Sequence, residues 1–186
     1  MIPKNRPQIK RKDTEKLLAS QRVSDPVCLV GIRGYYRDTM GAKGKNDVGI
    51  YDDAIIVVSP NVHAAFNANV DPSRLGKNPK INKPYAQLKP GVYRYKIGQH
   101  GISRGNPYKA LVQAAPVTVL RGSGEETGYF AINIHRGGIN TTSSEGCQTL
   151  PPAQWPAFIA LVDSELKRNN ANTVSYVLTH PRKDVA

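Results

Sequence analysis

The strongest periodic signal in the chain is helical. Trp155, Phe158, Ile159, Val162 and Leu166 stand at i, i+3, i+4, i+7 and i+11. Pro151, Pro152 and Pro156 are confined to the start of this run, and Lys167 and Arg168 close it. Such spacing puts the apolar side chains on one face and the cations at the negative end of the helix dipole, so it predicts an amphipathic helix. Leu17 and Leu18 give residues 14–21 one apolar face and predict a second, short helix. Elsewhere the pattern alternates or is continuously apolar. Residues 27–36, 51–58, 62–68, 92–97, 117–120, 129–134 and 174–178 read as strands. Gly and Pro mark the breaks between them, at 41–44, in the Lys-rich loop 71–83, at Lys89-Pro-Gly91 and in a turn over 122–128. Many short strands with one or two packed helices imply a mainly β fold with peripheral helices (α+β), a β-sandwich or partly closed barrel.

At 186 residues the chain suits one domain, 25–186, behind a basic N-terminal arm, 1–24. The longest apolar runs, 54–58 and 158–162, are far too short to span a membrane. Charge changes the picture more. The net charge is +12, and residues 72–124 hold ten Lys/Arg without one Asp or Glu. A surface this basic attracts polyanions, among them an anionic bacterial envelope. Specific nucleic-acid recognition is not expected, because no Arg-clustered helix, aromatic RNA motif or zinc-finger spacing is present. The basic N-terminus lacks the apolar segment of a secretory signal, which points to synthesis in the cytoplasm.

Candidate chemistry is concentrated in one stretch. His135 ends an apolar run, Ile132-Asn-Ile-His135, and eleven residues separate it from Cys147 in the polar segment Ser143-Ser-Glu-Gly-Cys147-Gln-Thr. A thiol attacks an amide carbonyl as thiolate, and a nearby imidazole is the usual base. Gly146 lets the backbone approach a substrate, so its amide is a candidate oxyanion donor. These residues suggest a Cys–His acyl-transfer site, set against the alternative that Cys147 is an inert structural thiol. A metal site is not expected, since one Cys and one His supply only two ligands, and no cofactor motif is present. Cys28, in the apolar run Val27-Cys-Leu-Val-Gly-Ile32, reads as a core residue. His100 follows a strand and is a candidate for the cleft. Tyr129, with Tyr93 and Tyr95, is a candidate cleft wall or an ordinary packing residue, and His63 has no chemical neighbours.

His135 followed by Ser144-Glu145-Gly146-Cys147 ahead of a helix resembles the L,D-transpeptidase (YkuD-like) catalytic domain, marked by His, a gap, then Ser/Thr-His-Gly-Cys. Leu88-Lys-Pro-Gly-Val-Tyr93 is similar to that family's Thr-Pro-x-Gly-x-Tyr/Phe segment. The resemblance covers roughly residues 50–180. It implies a β-rich domain that forms a Cys147 acyl-enzyme on peptidoglycan stem peptides, with His135 as general base. The backbone carbonyl of Arg136 would orient His135, the amides of Gly146 and Cys147 would hold the oxyanion, and Ser144 and Glu145 would meet substrate. Glu145 departs from the family's second His. Gln148 and Thr149 replace the usual apolar residue and Arg, whose contact Arg136 is then a candidate to supply. With the basic, signal-less composition, the resemblance points to a peptidoglycan-degrading cysteine peptidase of the phage endolysin type, a bacteriolytic hydrolase of the cell wall acting in the periplasm or wall. A true L,D-transpeptidase or an injected antibacterial effector is the alternative on the same substrate. A basic polyanion-binding module is the non-enzyme rival.

Overall fold

The absence of polar alternation in the runs around residues 30 and 56 is explained by a sheet covered on both faces. The computed structural model describes residues 1–180, so the last six residues of the expected 25–186 domain lie outside the described residues. Strands β1 (Cys28–Ile32) and β2 (Asp53–Val58) are buried at every position. Leu29, Ile55 and Val57 point into the main core, while Cys28, Val30, Ile32, Ala54, Ile56 and Val58 join a second cluster. That second cluster is covered by α1 (Arg11–Ser20) through Leu17 and Leu18. The basic arm is therefore packed down. Arg6 also stacks over Phe66 at 4.6 Å, and Thr14 Oγ1 lies 3.0 Å from His63 Nε2, which gives His63 a structural task.

The remaining elements follow in chain order: β3 (His63–Ala68), β4 (Lys77–Asn78), β5 (Lys83–Pro84), β6 (Gln87–Leu88), β7 (Gly91–His100), a 3₁₀ turn (Ile102–Arg104), β8 (Tyr108–Gln113), β9 (Val117–Arg121), β10 (Gly124–Gly128), β11 (Ile134–Arg136), β12 (Gln148–Leu150), α2 (Trp155–Arg168) and β13 (Val174–Thr179). Eight strands form one sheet in the order β12-β11-β8-β7-β13-β1-β2-β3. Its two ends meet where Asn69 and Thr149 exchange backbone hydrogen bonds of 2.8 Å. The fold is thus mainly β with peripheral helices, its large sheet curled into a nearly closed barrel. Helix α2 contributes Trp155, Phe158, Ile159, Val162 and Leu166 to the main core, and Phe158 meets Phe66 edge to face. Each such side chain stabilises by roughly 1.5–3 kcal/mol through burial. A three-stranded sheet, β10-β9-β6, and the β4–β5 pair complete the domain. Among the described residues no helix is long and apolar enough to cross a membrane.

Several sequence expectations are corrected. The turn expected over 122–128 is confined to its first residues, and β10 pairs with β9 beyond it, with Thr118 and Thr127 hydroxyls 2.9 Å apart. The strand expected at 129–134 survives only as β11. Ala131 has φ +55°, which breaks the extended ladder. The Gln113 side chain replaces it by accepting the N–H groups of Phe130 (3.0 Å) and Ile132 (2.7 Å). The strand expected at 27–36 stops at Ile32, ahead of the left-handed turn at Gly34. Tyr95 and Tyr93 are core residues, so neither is a cleft wall.

Candidate active site

Cys147 sits just before β12, and His135 is the middle residue of β11, so the parallel pairing of these two strands brings them close. Both line one cleft of about 280 Å³, together with His100, Ala131, Ile132, Phe130, Arg104, Arg121, Lys80 and Glu145. The approach to Cys147 is prepared by Gln113. By holding residues 130 and 132 it aims the Ala131 carbonyl and the Asn133 N–H at the sulfur. Cys147 Sγ–H donates to the Ala131 carbonyl at 3.3 Å, and the Asn133 N–H donates to Sγ at 3.4 Å. No direct hydrogen bond joins Cys147 to His135 among the described residues. Catalytic contacts often tighten only when substrate is bound.

His135 is oriented by its neighbour. Nδ1 lies 2.8 Å from the Arg136 carbonyl, and a carbonyl only accepts, so Nδ1 carries the proton. Nε2 is left as the lone-pair nitrogen that can take a proton from a thiol. The Tyr108 hydroxyl approaches both Nδ1 (3.2 Å) and the Arg136 carbonyl (3.4 Å). The His100 ring stacks on His135 at 3.9 Å and 10°. His100 Nδ1 in turn accepts from the Asn133 side-chain amide at 3.2 Å. Tyr108 and Asn133 are site residues that motif reading missed. Tyr108 lies on a strand that the pattern did not predict, and Asn133 acts through both its backbone N–H, on Cys147, and its side-chain amide, on His100.

Electrostatics set the resting state. Burial lowers the His135 pKa to about 3, and His100, Arg104 and Arg136 add to the effect, while the Arg136 carbonyl opposes it. Burial pushes the Cys147 thiol up to about 11; the Asn133 amide opposes that and Glu145 adds to it. Resting thiolate at neutral pH is therefore not expected, contrary to the simplest reading of the motif. The pair is a neutral thiol beside a neutral imidazole, and the proton would move as the sulfur attacks.

The other expected site residues divide. Glu145 lines the cleft but is already held by Asn78 Nδ2 (2.9 Å) and Lys80 Nζ (3.4 Å). Ser144 is buried and its hydroxyl shapes the turn, accepting from the Gly146 N–H at 3.0 Å and donating to the Cys147 carbonyl at 2.7 Å. The Gly146 amide is thereby committed, so it is not a free oxyanion donor. The Cys147 N–H has no acceptor among the described residues and is the better candidate. Gly146 itself is required by shape. Its φ is +139°, and a Cβ there would come within 2.6 Å of the Ala86 carbonyl. Tyr129 is 66% exposed and outside the cleft, where its neighbour Phe130 stands instead. The Arg136 guanidinium stacks over Tyr108 at 4.9 Å and does not line the cleft; Arg104 and Arg121 do. No cluster of three or more metal-ligating side chains exists among the described residues.

No protein-family model, curated protein or solved structure matches this chain. The resemblance to L,D-transpeptidases therefore rests on the sequence motif alone.

Proposed function

We propose that the protein is a cysteine-dependent peptidoglycan peptidase of the endolysin type, cleaving stem peptides or their cross-links in the periplasm or cell wall. The observation that carries the reading is a half-buried thiol sharing a cleft with a neutral imidazole whose Nδ1 is tied to a carbonyl and whose Nε2 is left as base. In the first step Cys147 Sγ bonds to the substrate carbonyl carbon, its proton passes to His135 Nε2, and the Cys147 N–H faces the developing oxyanion. Collapse breaks the C–N bond, and the leaving amine takes the proton from His135. Water, activated by the now neutral His135, then attacks the thioester, releasing the acid and restoring the thiol. An amine in place of water would give the transpeptidase outcome from the same acyl-enzyme.

The test is mass spectrometry of fragments released from purified sacculi, with and without an added acceptor amine. New carboxyl termini expected from hydrolysis support the peptidase reading. Amine adducts in their place would assign a transferase. Full lysis by a folded Cys147→Ala protein would remove the cysteine mechanism, whereas binding of the wild type to sacculi without release of any fragment would favour a basic polyanion-binding role for the chain.

A further inference from the structure

The cleft holds more positive charge than its own side chains neutralise. Lys80, Arg104 and Arg121 line it against the single carboxylate of Glu145, and Glu145 is already engaged by Lys80 and Asn78. Arg104 stands on the 3₁₀ turn after β7 and pairs with no acidic side chain among the described residues. Arg121, at the end of β9, is fixed from behind. Its Nη1 donates to the Pro84 carbonyl at 2.7 Å, and its side chain is only 12% exposed. Glu126 forms an ion pair with Arg121 Nε at 3.5 Å, although that buried Nε–H makes no hydrogen bond among the described residues. Its Cζ also lies 5.9 Å from the centroid of Phe130, another cleft residue. Glu126 offsets part of the Arg121 charge, Arg104 has no such partner among the described residues, and a planar carboxylate fits a guanidinium fork best.

We propose that Arg104 and Arg121 form a carboxylate-binding subsite, so that the acyl donor is a peptide with a free carboxylate beside the bond that Cys147 attacks. The subsite rests on the peptidase reading above for the chemistry it serves, while its binding is measurable separately. Recognition has two parts. Arg121 is pre-set by Pro84 and costs little side-chain entropy when it binds. Arg104 is exposed and adds charge at the mouth. Phe130 and Ile132 supply the apolar wall against which the peptide backbone packs.

The experiment compares a synthetic stem-type peptide carrying free carboxylates with its fully amidated counterpart. The full chain and its Arg104→Gln and Arg121→Gln variants are assayed by mass spectrometry. A second readout is protection of Cys147 from alkylation by each peptide, which requires no turnover. The wild type is expected to prefer the free-carboxylate peptide by about tenfold or more in kcat/KM. Each variant should collapse that preference toward unity. Arg104→Gln is the safer variant, since it removes no side-chain hydrogen bond among the described residues. Equal turnover of the two peptides by the wild type would overturn the subsite and leave the peptidase reading standing. Turnover of neither, with Cys147 protected by the free-carboxylate peptide alone and exposed again in Arg104→Gln, would keep the subsite and remove the peptidase reading. Protection by neither peptide, without turnover, would overturn both.

Discussion

Cys28 and Cys147 are the chain's two thiols, and burial pushes both up to about 11. By acidity alone they are indistinguishable. Their surroundings differ in every other respect. Cys28 is 2% exposed on β1, under α1, with Val30, Ile56 and Leu18 around it and its S–H donated to the Asp25 carbonyl. Cys147 opens onto a cleft lined also by His135, Lys80, Arg104 and Arg121, with a backbone N–H aimed at its sulfur. What separates the two thiols is access to a cleft shared with an imidazole, and their acidity does not distinguish them.

The largest contrast is in activity. Cys147→Ala should reduce release of soluble fragments from sacculi by about 10³-fold or more, because the reaction loses its nucleophile, while the circular dichroism spectrum stays that of the wild type. Substantial residual lysis would break the comparison at its centre. Gly146→Ala should come next. Its new Cβ would meet the Ala86 carbonyl and force φ away from +139°, displacing the adjacent Cys147. A misplacement of about 1 Å is worth roughly 100-fold in rate, so a drop of that order is expected, along with a loss of about 1–3 kcal/mol in stability from backbone strain.

The pH response should separate the two thiols next. With the Cys147 pKa near 11, its alkylation by iodoacetamide should keep rising roughly tenfold per pH unit past pH ~9, where an ordinary thiol has levelled off. Cys28 should stay unmodified over the same range until the protein unfolds. A plateau for Cys147 near neutral pH would mean that a thiolate–imidazolium pair exists after all. His135 gives the complementary test through stability. Its folded pKa, about 3, lies below the unfolded value of 6.5, so the unfolded chain binds the extra proton between them. Stability should therefore rise with pH across that window and be lost as the pH falls through it. His135→Gln should flatten this dependence in thermal unfolding measured from pH 4 to 7.

Much of this contrast was legible in the sequence, and the missing parts have physical reasons. The polar flanks of Cys147 and the apolar flanks of Cys28 already separate the two, and the regular spacing from Trp155 to Leu166 identified α2. The mainly β class followed from the apolar runs at β1, β2 and β13. What stayed hidden was long-range. Nothing local reveals that Gln113 replaces a strand ladder at residues 130–132, or that Tyr108 on β8 reaches the Arg136 carbonyl. Ser144 was readable as a polar residue near the nucleophile, but only the turn geometry shows that its hydroxyl occupies the Gly146 N–H. Arg104 and Arg121 are separated from Cys147 by many residues in a segment whose charge read as a diffuse basic face, and folding converts two of those charges into cleft walls.

The smallest effects belong to the side of Cys28 and concern stability alone. Leu18 and Cys28 belong to one cluster beneath α1, so the arm and the first strand share an apolar contact that the polar composition of residues 1–24 conceals. Leu18→Ala should cost about 2–3 kcal/mol by opening a cavity at the helix–sheet contact, and the loosened helix should make Cys28 alkylatable in the folded protein. Cys28→Ala removes a single buried sulfur, and its cost should be about 1 kcal/mol in denaturant unfolding. Neither substitution touches the cleft, so kcat/KM for sacculus lysis should remain that of the wild type. A large loss of activity from Cys28→Ala would mean that the two thiols are coupled through β1 and β13, and the division of labour between them would fail. Unchanged stability in Leu18→Ala would show instead that α1 rests on the sheet without supporting it, and the arm could then be removed with the domain still folded.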